Sequence, residues 1–167
     1  WTLGKFGRYP SLPRLARSQL AKRIALFALA LGRGGLGSDV IDAQKISNLE
    51  GGLAAFYTLD ESDKFGGSVV ALGDVNGDGI TDLAVGARWG EDGAGEAGAV
   101  YVLFVNSDGS VRSHAKISNT TVPGLGLGAN DVFGIGVAAL GDLDSDGVVD
   151  IAVGAYWDDD GASDAGT

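Results

Sequence analysis

Residues 65–87 read FGGSVVALGDVNGDGITDLAVGA, and residues 133–155 read FGIGVAALGDLDSDGVVDIAVGA. Each copy sets an Asp-rich loop between two short apolar runs, and the copies lie 68 residues apart. Extending the comparison to 65–99 against 133–167 gives 20 identities in 35 positions. Self-similarity at a fixed period marks stacked structural units that bury their faces against one another. The apolar runs carry β-branched residues and are bounded by turn chemistry, so residues 68–73 and 81–87 read as two strands with the acidic loop between them.

Outward from this hairpin, residues 99–105 (AVYVLFV) are apolar almost throughout. A strand wetted on one face would alternate, so this one is expected to be covered on both. Asn106, Ser107, Asp108 and Gly109 supply a short turn, and residues 110–117 return as a more polar strand. The unit is thus four strands in antiparallel order. Lys-Ile-Ser recurs at 45–47 and 116–118 and closes equivalent strands, which makes residues 39–47 the tail of a preceding unit. Polar connections follow, 48–64 in one copy and 119–132 in the other, and their unequal length marks them as surface loops. The expected plan is a leader at 1–38, a tail strand and connection at 39–64, a complete repeat at 65–132 and a truncated repeat at 133–167. The expected fold is all-β, with propeller-type four-stranded antiparallel blades and about two and a half repeats. A β-sandwich of short strands shares the local pattern, and the repeat period favours stacked sheets.

Charge separates the leader from the rest. Residues 1–38 carry seven Lys or Arg and no acid, whereas the 167-residue chain as a whole has a formal charge of −10. Arg14, Arg17, Lys22 and Arg23 precede an apolar run at 24–31 that is far shorter than the roughly 20 residues needed to span a bilayer. With Ala28 and Ala30 in a small-x-small arrangement, the segment resembles a secretory signal; a poorly ordered or truncated leader is the other reading. The acidic body argues against nucleic acid, whose phosphates require a basic footprint. Cysteine is absent, so there is neither a disulfide framework nor thiol chemistry.

The acidic loops carry the chemistry. Asp74, Asn76, Asp78 and Asp82 occupy positions 1, 3, 5 and 9 of a nine-residue turn with Gly79 at position 6, and Asp142, Asp144, Asp146 and Asp150 repeat the spacing around Gly147. Calcium takes six to eight hard oxygen ligands, and such a turn brings several to one point. The backbone carbonyls of Ile80 and Val148 at position 7 are expected to add to the shell. Solvated acidic turns without a metal would repel themselves, and the recurrence at matched positions favours two calcium sites. An EF-hand needs a Glu at position 12 between helices, where this chain has Val85 or Val153 inside a β-type run.

Phe65-Gly66 and Phe133-Gly134, the two Asp loops, Gly86-Ala87 and Gly154-Ala155, and GAVYVLF at 98–104 together resemble the FG-GAP repeats of the integrin α-chain β-propeller and of bacterial extracellular proteins that carry such repeats. The resemblance covers residues 39–167. It departs from the family where Arg88 and Tyr156 replace the Pro that follows Gly-Ala, and residues 1–38 match nothing in it. It implies a secreted or cell-surface module, of the bacterial extracellular type, for adhesion or for binding a protein or glycan, with structural calcium and no membrane span within the fragment.

Antiparallel order places the calcium loops at the same end as the 106–109 turn. The connections 48–64, 88–98 and 119–132 are expected at the opposite end, where Phe56, Tyr57, Trp89 and Trp157 are the candidate partner-binding residues; the two tryptophans also suit packing between blades. His114 is the only histidine and has no accompanying nucleophile motif, so no enzyme is expected. Two rival readings are a structural array without a specific ligand and a non-catalytic propeller attached to an enzyme outside this fragment.

Overall fold

The computed structural model describes residues 27–31, 42–91, 94–160 and 165–167. Among these residues eight strands run in the order β1 (Phe27–Leu31), β2 (Asp42–Ile46), β3 (Phe65–Gly73), β4 (Asp82–Ala87), β5 (Ala99–Val105), β6 (Val111–Ile117), β7 (Gly136–Gly141) and β8 (Asp150–Gly154), with one 3-10 turn at Leu53–Ala55. They form three antiparallel sheets in the orders β1-β2, β3-β4-β5-β6 and β7-β8. The fold is all-β and propeller-type: one complete four-stranded blade with partial sheets before and after it, which do not close a ring.

The middle sheet matches the unit expected from the sequence, with one extension. β3 begins at Phe65 rather than at residue 68, because Phe65 pairs with Ala87 across a register shift before Ser68 meets Gly86. A second shift lies between Ala71 and Gly73, just before the acidic loop, and β7 repeats it between Ala139 and Gly141. Such irregularities bend a strand and increase its twist, which re-aims the turn that follows.

Burial follows from covering both faces. Every residue of β4 is buried, as are five of the seven in β5. Leu83, Val85, Ala87, Tyr101, Leu103 and Val105 lie in one apolar cluster with Ile46, Leu53 and Leu59. Ala84 and Val100 lie in the other, joined by Phe133, Val137, Ile151 and Val153 of the following unit. Residues of odd and even number thus face opposite neighbours, which explains why neither strand alternates in polarity.

Two close backbone approaches fix how the middle sheet meets the next. A Cβ on Gly86 would collide with the Gly134 carbonyl, and Ser68 Oγ donates to that same carbonyl at 2.7 Å. Gly98 has φ of 90° and forms an isolated parallel bridge with Phe133, whose N–H donates to the Ala97 carbonyl at 2.9 Å. The recurring Gly-Ala and Phe-Gly pairs are therefore the two sides of one inter-sheet contact, where any side chain would hold the backbones apart.

β1 lies in the run that the sequence reading assigns to the leader. It pairs with β2 in the register that β5 keeps with β6: Ile46 faces Phe27 as Ile117 faces Val100, and Lys45 faces Ala28 as Lys116 faces Tyr101. The remainder of residues 1–38, and with it most of the signal-like segment, lies outside the described residues.

Candidate metal centre

Each acidic loop is shaped by its own carboxylates, which accept backbone N–H groups a few residues ahead. In the first loop Asp74 Oδ1 accepts from Gly77 at 2.8 Å and Asp78 at 3.0 Å, while Oδ2 accepts from Gly79 at 2.7 Å. Asn76 Oδ1 accepts from Asp78 N–H at 2.9 Å, and Asp78 Oδ1 accepts from Ile80 N–H at 2.9 Å. These N–H groups, Gly79 foremost, hold the Asp74 carboxyl below the usual carboxylate range. The positive φ of Gly77 and Gly79 lets the turn close tightly enough for those bonds.

The second loop repeats the pattern. Asp142 accepts from Asp146 N–H at 3.0 Å and Gly147 N–H at 3.0 Å, Asp144 from Asp146 N–H at 3.2 Å, and Asp146 from Val148 N–H at 2.7 Å. One carboxylate oxygen from each of Asp142, Asp144 and Asp146 comes within 4.8 Å of the other two, and all three residues are exposed. An all-oxygen, triply anionic set on a solvent-open turn suits a hard divalent cation such as calcium and lacks the nitrogen or sulfur donors that favour zinc or copper.

Position 9 has a different setting. Asp82 is fully buried; its Oδ2 accepts from Val75 N–H and its Oδ1 from Val105 N–H, both at 3.2 Å, so it ties the acidic loop to the C-terminal end of β5. Asp150 Oδ2 accepts from Leu143 N–H at 2.7 Å. The sequence spacing groups positions 1, 3, 5 and 9 as equals, whereas the fold sets the ninth at the hairpin base. For Ile80 and Val148 the structure records N–H donation to Asp78 and Asp146.

The first loop also meets a cation that its sequence neighbourhood does not reveal. Arg112, on β6, places Nη1 2.9 Å from Asp78 Oδ2. Arg112 and the 106–110 turn lie at the metal-loop end of the blade, in keeping with the expected topology. In that turn Ser110 Oγ and N–H both donate to Asp108, which lowers the Asp108 pKa.

At the other end the connections are knitted together, and they are less free than their polarity suggests. Trp89 N–H donates to the Asp63 carbonyl at 3.2 Å, and Asn130 N–H to the Gly95 carbonyl at 2.9 Å. Lys64 and Arg88 lie over the Trp89 ring at 5.0 and 5.5 Å from its centroid. Trp157 repeats the Trp89 backbone bond through the Asp131 carbonyl; it is 45% exposed and lies beside Tyr156 with ring centroids 5.9 Å apart.

Phe56 and Tyr57 do not stand out from the end of the blade. The 48–64 connection lies across the sheet face, with Leu53, Leu59 and Tyr57 packed on the first core and Val111 N–H donating to the Gly51 carbonyl at 2.7 Å. Tyr57 stacks 5.1 Å from Tyr101, and Phe56, still half exposed, lies 6.1 Å from His114. His114 is held below its ordinary pKa by burial and by Lys116, which keeps it a neutral member of this aromatic group.

Three features had escaped the motif reading, and two of them recur. Asn48 brackets its loop by accepting from Leu59 N–H at 2.7 Å and donating to the Leu59 carbonyl at 2.6 Å. Asn119 makes the same two bonds to Leu127. Asp63 and Asp131, two residues before each Phe-Gly, are buried carboxylates that accept from Asp60 and Gly128 N–H. Recurrence of KISN and Asp-x-Phe-Gly in both copies was a usable signal for these pairs. Nothing in the sequence pointed Arg112 toward Asp78, which lies 34 residues away.

The sequence is similar to known proteins over much of the described region. Residues 65–103 match the FG-GAP repeat family. The integrin alpha pat-2 proteins of Caenorhabditis briggsae and Caenorhabditis elegans are 35% and 33% identical to the chain over 72% of its length. Integrin alpha-7 of Mus musculus is 40% identical over 57% of it. The chain spans about a tenth of the length of these curated relatives. All three come from animals, and they lend no support to the bacterial qualifier.

Proposed function

Because the chain carries an FG-GAP repeat and is similar to integrin alpha chains over most of its length, we propose that it is a calcium-stapled propeller module of a secreted or cell-surface protein, serving adhesion by binding a protein or glycan. The observation that carries the metal part is the convergence of Asp142, Asp144 and Asp146 at the tip of a hairpin whose twin has the same turn geometry. Calcium neutralises carboxylates that would otherwise repel and holds each hairpin in the shape that its neighbour packs against. Asp74, Asn76 and Asp78 with the Ile80 carbonyl, and Asp142, Asp144 and Asp146 with the Val148 carbonyl, are the proposed ligands of two sites. Asp82 and Asp150 close the hairpin bases and complete each set.

The partner surface is assigned to the opposite end, around Trp89 and Trp157, with Phe56 and Tyr57 at its margin. Trp89, half-buried under Lys64 and Arg88, and the exposed Trp157 beside Tyr156 suit an acidic or polar extracellular ligand. Among the described residues no helix is long and apolar enough to cross a membrane. No catalytic role is assigned, since the one histidine is packed among Phe56, Tyr57 and Tyr101. Calorimetric titration with calcium chloride tests the metal assignment. Two binding events are expected for the unmodified chain, with Asp78→Ala and Asp146→Ala each deleting one. An unchanged two-site isotherm in both variants would sink it.

A further inference from the structure

The two acidic loops share a sequence pattern but not an electrostatic setting, and the difference comes from a residue outside either motif. In the first loop Asn76 is neutral where the second has Asp144, so the inner turn has one carboxylate fewer. Both oxygens of Asp74 are taken up by backbone N–H groups, as both oxygens of Asp142 are in the second loop, so the remaining difference lies at Asp78. Asp78 uses Oδ1 for Ile80 N–H and Oδ2 for the Arg112 guanidinium at 2.9 Å. The second loop has three converging carboxylates, and among the described residues no cation pairs with Asp142, Asp144 or Asp146.

We propose that Arg112 is the resident counter-ion of the first loop, which calcium must displace from Asp78, so that the two loops fill in sequence: the second first, the first only at higher calcium. The inference rests on the calcium reading of the loops and adds a residue that sets their relative affinity. The geometry suits displacement. Arg112 reaches Asp78 from β6, at the mouth of the turn, and its side chain is 59% exposed. It therefore regains most of its hydration when it swings away, and a pair of this kind is held weakly enough to yield to a divalent ion. While it stays, it satisfies part of the anionic charge of the turn and competes for the Oδ2 oxygen that a metal at position 5 would use.

The test is calorimetry of calcium chloride binding to the full chain carrying Asp146→Ala, which leaves the first loop as the only site, with and without Arg112→Gln. Removing the guanidinium is expected to tighten the first-loop dissociation constant about two- to fivefold, the worth of an exposed ion pair. The gain should shrink as sodium chloride is raised, because screening weakens the pair that calcium has to break. In the Asp78→Ala background the same substitution should leave the second-loop constant unchanged. Were Asp146→Ala to unfold, Arg112→Gln alone carries the test: the weaker of the two events should tighten and the stronger stay put. A first-loop constant that is unchanged or weakened by Arg112→Gln overturns the proposal and leaves the calcium reading standing. Absence of any binding heat and of any calcium-induced rise in melting temperature in the unmodified chain overturns both.

Discussion

Asp63 shows how much a single side chain can be set against itself. Its Oδ2 accepts from Asp60 N–H at 2.8 Å, but its Oδ1 is buried without a hydrogen-bond partner. Burial raises its pKa above the ordinary 3.8, and Asp60 and Glu91 push the same way, against the Asp60 N–H and Lys116. A carboxyl with a raised folded pKa contributes stability that is fully present below the unfolded value and is lost as pH rises through the folded one. The ionised form is therefore a burden at neutral pH. Asp63→Asn, which removes the charge and keeps an acceptor for Asp60, is expected to raise the thermal midpoint at pH 7. Its advantage should fade as the pH is brought below 4, and a midpoint difference independent of pH would contradict the account. The recurring asparagines offer a second test. Asn48→Ala strips Leu59 of both backbone partners and should cost about 1–3 kcal/mol in urea unfolding, the penalty for buried polar groups left unpaired. Asn119→Ala should cost a similar amount through Leu127.

At the scale of elements, the acidic hairpins are shaped locally and positioned remotely. The turn bonds of the first loop span two to five residues, so its form could be read from spacing alone. Where that hairpin sits was not legible in the same way, because it depends on Asp82 reaching Val105, 23 residues away, and on β4 being sealed from both sides. The Gly86 contact with Gly134 is the sharpest case of sheet packing by exclusion. Gly86→Ala places a methyl group against a carbonyl of the next unit and on the Ser68 hydroxyl. Overpacking of this kind costs about 1–3 kcal/mol, to be read as a lowered urea midpoint. A neutral result would mean that the inter-sheet contact is looser than described. The 48–64 connection shows where polarity misled: its exposed acids suggest a free loop, yet Leu53, Tyr57 and Leu59 fold it onto the sheet. Three apolar side chains spread over seven residues carry no strand or helix period, so only the apolar face awaiting them decides their place.

For the whole molecule, calcium is expected to act as a stabiliser that binds the folded form and has little hold on the unfolded chain. With dissociation constants in the range of about 10⁻⁴ to 10⁻³ M usual for extracellular modules, 10 mM calcium should add roughly 1.4–2.7 kcal/mol per site. Melting in calcium and in chelator at matched ionic strength measures this, and equal midpoints would contradict the structural role of the metal. The sequence by itself determined the all-β class, the four-stranded unit, the two acidic turns and the likeness to integrin alpha repeats. It could do so because each of these depends on residues close together in the chain and stated twice. Tertiary structure alone decided that Gly86 meets Gly134, that Asp82 is buried at the base of its hairpin, that β1 pairs with β2 in the register of β5 with β6, and that Arg112 reaches Asp78. Those contacts join segments far apart in sequence, where no local period or spacing constrains which side chains meet, and only the packing of one sheet face on the next brings them together.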